Sequence, residues 1–226
     1  MKRILIILGI YGLCGFAYAQ VGTWEVQIKN IGGAKETGTG YFSINGNGTV
    51  SGYSLTTLTF GVPTYSGTWS TGAKGQILVM FSESLNGQNA TGTFVGKFST
   101  KSLKGKATFD NGVMYSFNGK PLSTILDAAG NWTGTVKESG ETVVESFTVT
   151  SNPDFVGIFD VSGLIGGSVI ATGQVVTASN GTVSGYSIEG SVENTISGKA
   201  NLSKGTLTTK GVDQNGNKFT GKFFKH

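Results

Sequence analysis

Chemistry needs groups that ionise, coordinate or attack, and this chain of 226 residues is short of them. Its single histidine is the last residue, His226, and its single cysteine, Cys14, lies in an apolar leader. A Ser-His-Asp triad, a histidine-based metal site and a cysteine nucleophile all need more than that. Carboxylates are the remaining reactive class, and a glycan hydrolase needs two of them about 5–10 Å apart. Asp154 and Asp160 fall six apart on one expected strand, which at ~3.3 Å per residue holds them ~20 Å apart. Glu138, Glu141 and Glu145 cluster near a hairpin and read as solvated turn and edge charges. Asp213-Gln214-Asn215-Gly216-Asn217 begins like a calcium loop. However, Lys218 stands where such a loop needs glycine, and no glutamate closes it. No P-loop or dinucleotide fingerprint is present. These residues point away from an enzyme, and from a metal or other cofactor.

Aromatic, hydroxyl and lysine side chains are more plentiful. Tyr53, Tyr186 and Trp69 are candidates for a stacking platform. Trp24 and Trp132 alternate in step with apolar residues and read as core. Lys104 and Lys106 share one strand face and Lys218 and Lys222 another, and all four are expected to point outward. Charge is segregated along the chain. Residues 97–120 carry five lysines against Asp110, residues 121–193 carry Lys137 against eight acids, and residues 194–226 carry six lysines against Asp213. Such segregation suits docking on an anionic surface glycan, or head-to-tail association of the protein with itself. Lys–Glu pairing across strands within one molecule would use the same charges internally. Nothing calls for nucleic acid.

The elements that must position these residues are strands. Leu103 to Asp110 alternates apolar or small residues with polar ones, Asn111-Gly112 follows, and alternation resumes from Val113. Asn-Gly between two alternating runs predicts a tight hairpin with positive φ at both turn residues. "NGTVSGYS" occurs twice, at residues 47–54 and 180–187, each time as such a turn opening a strand. The pattern predicts strands at 23–30, 38–45, 49–57, 64–71, 76–84, 89–100, 103–110 and 113–120. A second set is expected at 131–139, 142–151, 154–162, 168–178, 182–192, 195–203, 205–213 and 218–224. Between the sets, alternation stops over Pro121 to Gly130, with room for one helical turn. The two octapeptides fall on the third strand of one set and the fifth of the other, which favours repetition of a hairpin over duplication of a domain.

The organisation expected is an N-terminal signal peptide, 1–19, a first barrel-like meander, 20–120, a linker, 121–129, and a second meander, 130–226. Lys2 and Arg3 precede an apolar run, and Ala17-Tyr18-Ala19 supplies the cleavage pattern. Leu13 and Tyr11 do not fit a lipid-attachment motif at Cys14. The destination is therefore secretion or a bacterial periplasm, with outer-membrane association as a sixteen-strand alternative. The fold class is all-β, two tandem antiparallel β-meanders, each an eight-stranded barrel.

Glycines fall on the apolar face in Phe94-x-Gly96-x-Phe98, Trp132-x-Gly134-x-Val136, Phe155-x-Gly157-x-Phe159, Ile196-x-Gly198-x-Ala200 and Phe219-x-Gly221-x-Phe223. A neighbouring aromatic covering each glycine is the arrangement of small closed barrels. Gly22-Thr23-Trp24 and Gly130-Asn131-Trp132 open the two sets. A Gly-x-Trp on the first strand of an eight-stranded meander resembles the calycin group, the lipocalins and avidins. That resemblance implies a barrel, a tryptophan across one end beside a late lysine (Lys120 or Lys222), and an interior able to carry a small apolar ligand. The leading expectation is a non-enzymatic binding or cell-surface structural module.

Overall fold

The computed structural model describes residues 21–226 apart from Gly166 and Ser168. The expected signal peptide, its expected cleavage after Ala19 and Cys14 lie outside the described residues. Eight strands form the first half: β1 Gly22–Asn30, β2 Thr37–Ile44, β3 Thr49–Thr56, β4 Thr64–Thr71, β5 Gln76–Leu85, β6 Gln88–Phe98, β7 Leu103–Phe109 and β8 Met114–Pro121. Eight more form the second: β9 Gly130–Glu138, β10 Glu141–Ser151, β11 Ile158–Ile165, β12 Val169–Thr177, β13 Thr182–Glu189, β14 Val192–Asn201, β15 Thr206–Asp213 and β16 Lys218–Lys225. Each set is a closed antiparallel meander, sealed by β8 on β1 and by β16 on β9. A single sixteen-stranded barrel is thereby ruled out. The chain divides into two compact units, and the second takes in Glu36–Thr39 and Leu55–Val62 as well as Ser123–His226.

The apolar residues point inward in both barrels. Trp24, Val26, Ile28, Ile77, Phe94 and Leu103 belong to the first core, and Trp132, Val136, Val149, Phe159 and Phe223 to the second. Several inward glycines sit against aromatic rings, as the pattern of alternation implied, whereas Gly198 lies against the backbone of Thr208 and Thr209 rather than a ring. A methyl group on Gly52 would lie 2.5 Å from the Phe42 ring, and one on Gly96 2.5 Å from the Phe94 ring. The ring fills the space that the missing side chain leaves, so the barrel wall bends without a void.

The Asn-Gly turns differ from the expected form. At Asn47-Gly48, Asn111-Gly112, Asn180-Gly181 and Asn215-Gly216 only the glycine has positive φ, between 83° and 86°. Its N–H donates to the carbonyl three residues back, as from Gly48 to Asn45 at 3.1 Å and from Gly181 to Ala178 at 2.7 Å. This is a type I turn closed by a left-handed glycine, the three-residue hairpin with a bulge. The asparagine is kept for its side chain, because Asn47, Asn111 and Asn180 each accept an N–H two residues on. Turns with two positive φ values occur instead at Asn86-Gly87 and Ser139-Gly140.

Three further expectations are corrected. The stretch between Pro121 and Gly130 contains no helical turn. β11 begins at Ile158, so Asp154 and Phe155 lie in the preceding loop and Gly157, at φ 90°, is a turn residue. The repeat is also larger than a hairpin. With Trp24 opposite Pro121 and Trp132 opposite Lys225, the pairing proceeds around both barrels in the same steps. Phe98↔Leu103 corresponds to Ala200↔Leu207, Ile77↔Gly96 to Val183↔Gly198, and Trp69↔Val79 to Val175↔Gly185. The octapeptide copies still fall on non-equivalent strands, β3 and β13.

Candidate binding site

The outer faces of the last strands of each barrel carry lysines in a repeated arrangement. In the first barrel Lys106 on β7 lies opposite Ser116 on β8, and Ser116 lies opposite Lys29 on β1. In the second, Lys210 on β15 lies opposite Thr220 on β16, and Thr220 opposite Lys137 on β9. These are register-equivalent positions. Each row therefore presents lysine, hydroxyl, lysine across three neighbouring strands, the two lysine backbones ~9.5 Å apart.

A second row lies beside each. In the first barrel Lys97 faces Lys104 directly across β6 and β7, and Lys104 faces Asn118. In the second, Lys199, Thr208, Lys222 and Thr135 succeed one another across β14, β15, β16 and β9. Like charges directly opposite on neighbouring strands destabilise a sheet. All these lysines are exposed, and none is in an ion pair with a carboxylate among the described residues. The internal Lys–Glu pairing weighed from sequence is thus not how these faces are neutralised. Lys199 instead donates to the Asn180 carbonyl, and Lys222 lies 5.3 Å from the Phe224 ring centre. Lys218 is exposed opposite Val212.

The aromatic candidates separate. Trp69 turns inward, donates its indole N–H to the Asn45 carbonyl at 2.9 Å and packs on the first core, so it presents no stacking face. Tyr53 points outward from β3 and lines a hollow of about 300 Å³ with Tyr41, Thr23, Ser43 and Thr64. Its ring centre is 5.9 Å from that of Tyr41, and burial raises both hydroxyl pKa values. Tyr186 points outward from β13 and donates to Gln174 at 2.8 Å, and Gln174 in turn donates to Asp160 at 3.0 Å. The tyrosine of the repeated octapeptide thus faces outward in both copies, while its valine, glycine and second serine face inward.

The lysine beside Trp132 is not the expected Lys222, and Trp24 lies opposite Pro121 rather than a lysine. Lys225 stands over Trp132, 5.9 Å from its ring, and Lys120 turns out to Glu25 at 3.7 Å. Residues alternate across a strand, so the position opposite the inward tryptophan must itself face in, which excludes Lys222 and Lys120. The Asp213 carboxylate accepts from the backbone N–H groups of Asn215 and Asn217, at 2.9 and 2.7 Å, and serves its own turn. No group of three metal-binding side chains occurs among the described residues.

Both barrels retain small interior cavities. The first, of about 60 Å³, is enclosed by Trp24, Phe42, Phe81, Phe94, Phe98 and Phe117. The second, of about 100 Å³, is bordered by Trp132, Phe147, Ala171, Val175, Ile196, Ala200 and the carboxyl of Glu145. Burial, and then the charges of Glu189 and Glu138, raise the Glu145 pKa to about 7. Neither cavity approaches the ~300 Å³ of ordinary ligand pockets.

Fold and faces together define a tandem of closed eight-stranded barrels with small interior cavities and rows of lysine on their outer faces. No family model matches the chain, and no characterised relative matches by sequence. Among solved structures, a redesigned β-barrel is 19% identical with a TM-score of 0.37, over 47% of this chain and 95% of its own. A protein with unknown function of the DUF3598 family from Nostoc punctiforme is 11% identical with a TM-score of 0.31, over 93% and 98%. The Burkholderia oklahomensis agglutinin is 9% identical with a TM-score of 0.24, over 93% and 98%. The closed barrel that the resemblance to lipocalins and avidins implied is present in both halves.

Proposed function

We propose that this protein is an exported, non-enzymatic binding module that holds an anionic polysaccharide on the basic outer faces of its barrels. One observation carries the reading: the row lysine–hydroxyl–lysine recurs at equivalent positions, as Lys106–Ser116–Lys29 and Lys210–Thr220–Lys137. Folding gains nothing from gathering uncompensated charge in this way, and in the first barrel Lys97 directly opposite Lys104 opposes it. A ligand that brings its own negative charge reverses the sign of that cost. Hydroxyls between the lysines suit a partner rich in hydroxyls. The rows contain no aromatic residue to stack on bases, and the only arginine in the sequence is Arg3, in the leader. A glycan bearing carboxylate or sulfate fits these features better than nucleic acid does.

Head-to-tail association would need a complementary acidic face. Of the acids of residues 121–193, Glu138 and Glu189 gather around Glu145 in the second barrel and the others are dispersed. Asp127 and Asp154 are in loops, Glu141 and Glu193 flank turns, Glu145 borders the cavity, and Asp160 is held by Asn152 and Gln174.

Retention on immobilised carboxylated or sulfated polysaccharide, with neutral dextran as control, tests the reading. The protein is expected to bind the charged polymers at about 50 mM salt and to release by ~0.5 M, where exposed charges are screened. A Lys29→Glu, Lys106→Glu, Lys137→Glu, Lys210→Glu variant should not be retained. Equal retention on dextran, or none on any charged polymer at low salt, overturns it.

A further inference from the structure

The two barrels share strand number and register, yet their interiors are filled differently. Equivalent inward positions hold Tyr65 and Ala171, Trp69 and Val175, Phe81 and Ser187, and Phe98 and Ala200, in the first and second barrel respectively. Phe94 and Phe117 likewise correspond to Ile196 and Gly221, so aromatic side chains give way to smaller ones at several inward positions. Exchanges also run the other way, with Phe223 where the first barrel has Gly119 and Thr209 where it has Gly105. Ala171, Val175, Ser187, Ile196 and Ala200 border the second cavity, so the cavity is a consequence of these replacements. Trp132 closes one end, its indole N–H donating to the Ala128 carbonyl at 3.1 Å. Glu145 lines the same space, which is mostly apolar although Thr177, Ser187 and Thr209 also border it. Natural cores are close-packed, and the first barrel, with rings at these positions, keeps about 60 Å³ against about 100 Å³ in the second, so the second has room that its sibling lacks.

We propose that the interior of the second barrel binds a compact hydrocarbon carrying a protonated amine, the hydrocarbon in the cavity and the ammonium on Glu145. The volume of about 100 Å³ sets the size of the hydrocarbon. An apolar cavity of ~150 Å³ admits benzene, so this one takes a branched chain of a few carbons. The carboxyl sets the head group. A cation at Glu145 offsets both its burial and the repulsion from Glu189 and Glu138, the two effects that keep its proton on to about pH 7. A carboxylate ligand would add to that repulsion, and a neutral alcohol would leave it untouched. This site is independent of the lysine faces.

Isobutylamine is the probe, with isobutanol as its neutral counterpart, titrated into the full exported chain at pH 8 and followed by methyl NMR. Shifts are expected at Ala171, Val175, Ile196 and Ala200, with isobutylamine favoured by roughly tenfold or more, as for a charge-assisted contact. Glu145→Gln should bring the two affinities together while leaving isobutanol binding as it was. Ala171→Tyr, which restores the residue of the first barrel, should abolish both. If Ala171→Tyr does not fold, the Glu145→Gln comparison decides alone. Absence of cavity methyl shifts with either probe, or an amine preference unchanged in Glu145→Gln, overturns the proposal.

Discussion

Glu145 shows what one residue costs and permits. A glutamate in an unfolded chain titrates near 4.5, whereas in the folded barrel burial and two neighbouring carboxylates hold Glu145 to about 7. Between those values the folded chain retains a proton that the unfolded chain has released. Stability therefore falls as pH rises from about 4.5 to about 7, and this contribution is constant above that range. Glu145→Gln removes the dependence. The variant is expected to melt higher than the wild type at pH 8 and at nearly the same temperature at pH 4, where both side chains are uncharged. Melting curves at the two pH values measure this, and a variant less stable than the wild type at pH 8 would mean that the carboxylate is stabilised by a partner. Glu189, whose pKa is also raised by burial, shares the trend in weaker form.

At the scale of the strand, packing between inward glycines and rings governs stability. A side chain on Gly134 would strike the Lys222 carbonyl and the Phe223 backbone, and one on Gly221 would lie 2.5 Å from both the Phe223 ring and the Thr209 hydroxyl. Gly134→Val and Gly221→Val are each expected to lose about 3 kcal/mol or more, since neither backbone nor ring has room to yield. Gly119→Ala meets the tips of Val26 and Leu103 at 3.0–3.1 Å and the Glu25 carbonyl at 3.2 Å, and should cost less, about 1 kcal/mol. Chemical denaturation ranks the three, and equal midpoints would remove the close-approach explanation. The sequence made these elements legible because alternation and Asn-Gly turns are local signals. Sixteen strands emerge near their expected positions, and the glycine–aromatic pairing was readable from spacing. The equivalence of the two barrels was not, because it resides in register while the side chains exchange sizes: Val26 with Gly119 becomes Gly134 with Phe223. The turn form was also hidden, since Asn-Gly suits both a two-residue loop and a bulged three-residue one. Of the candidate site, Lys104, Lys106, Lys218 and Lys222 are exposed as their alternation implied. Lys29 and Lys137 were missed because closure of each barrel brings its first strand beside its last, a relation that no local window contains.

Taken as a whole molecule, the chain carries the same lysine–hydroxyl–lysine row once per barrel, which sets a stoichiometry. A short anionic oligosaccharide, too small to reach beyond one row, should bind two to a chain. Lys29→Glu with Lys106→Glu should leave one, and Lys137→Glu with Lys210→Glu should likewise leave one, because each pair belongs to a separately closed sheet. Sites that share no residue and lie on separately closed sheets are expected to act additively. Each remaining site should keep its own affinity and a salt dependence appropriate to a few exposed charges, weakening as the screening length falls below ~10 Å above 0.1 M. A long polymer is different, since engagement of one row raises the local concentration of polymer at others by an amount set by its reach. Isothermal titration with the short ligand separates these contributions. A stoichiometry of one in the parent protein, or loss of all binding when only one barrel is changed, would show that a single face binds and that the recurrence of the row in the other barrel has no part in recognition.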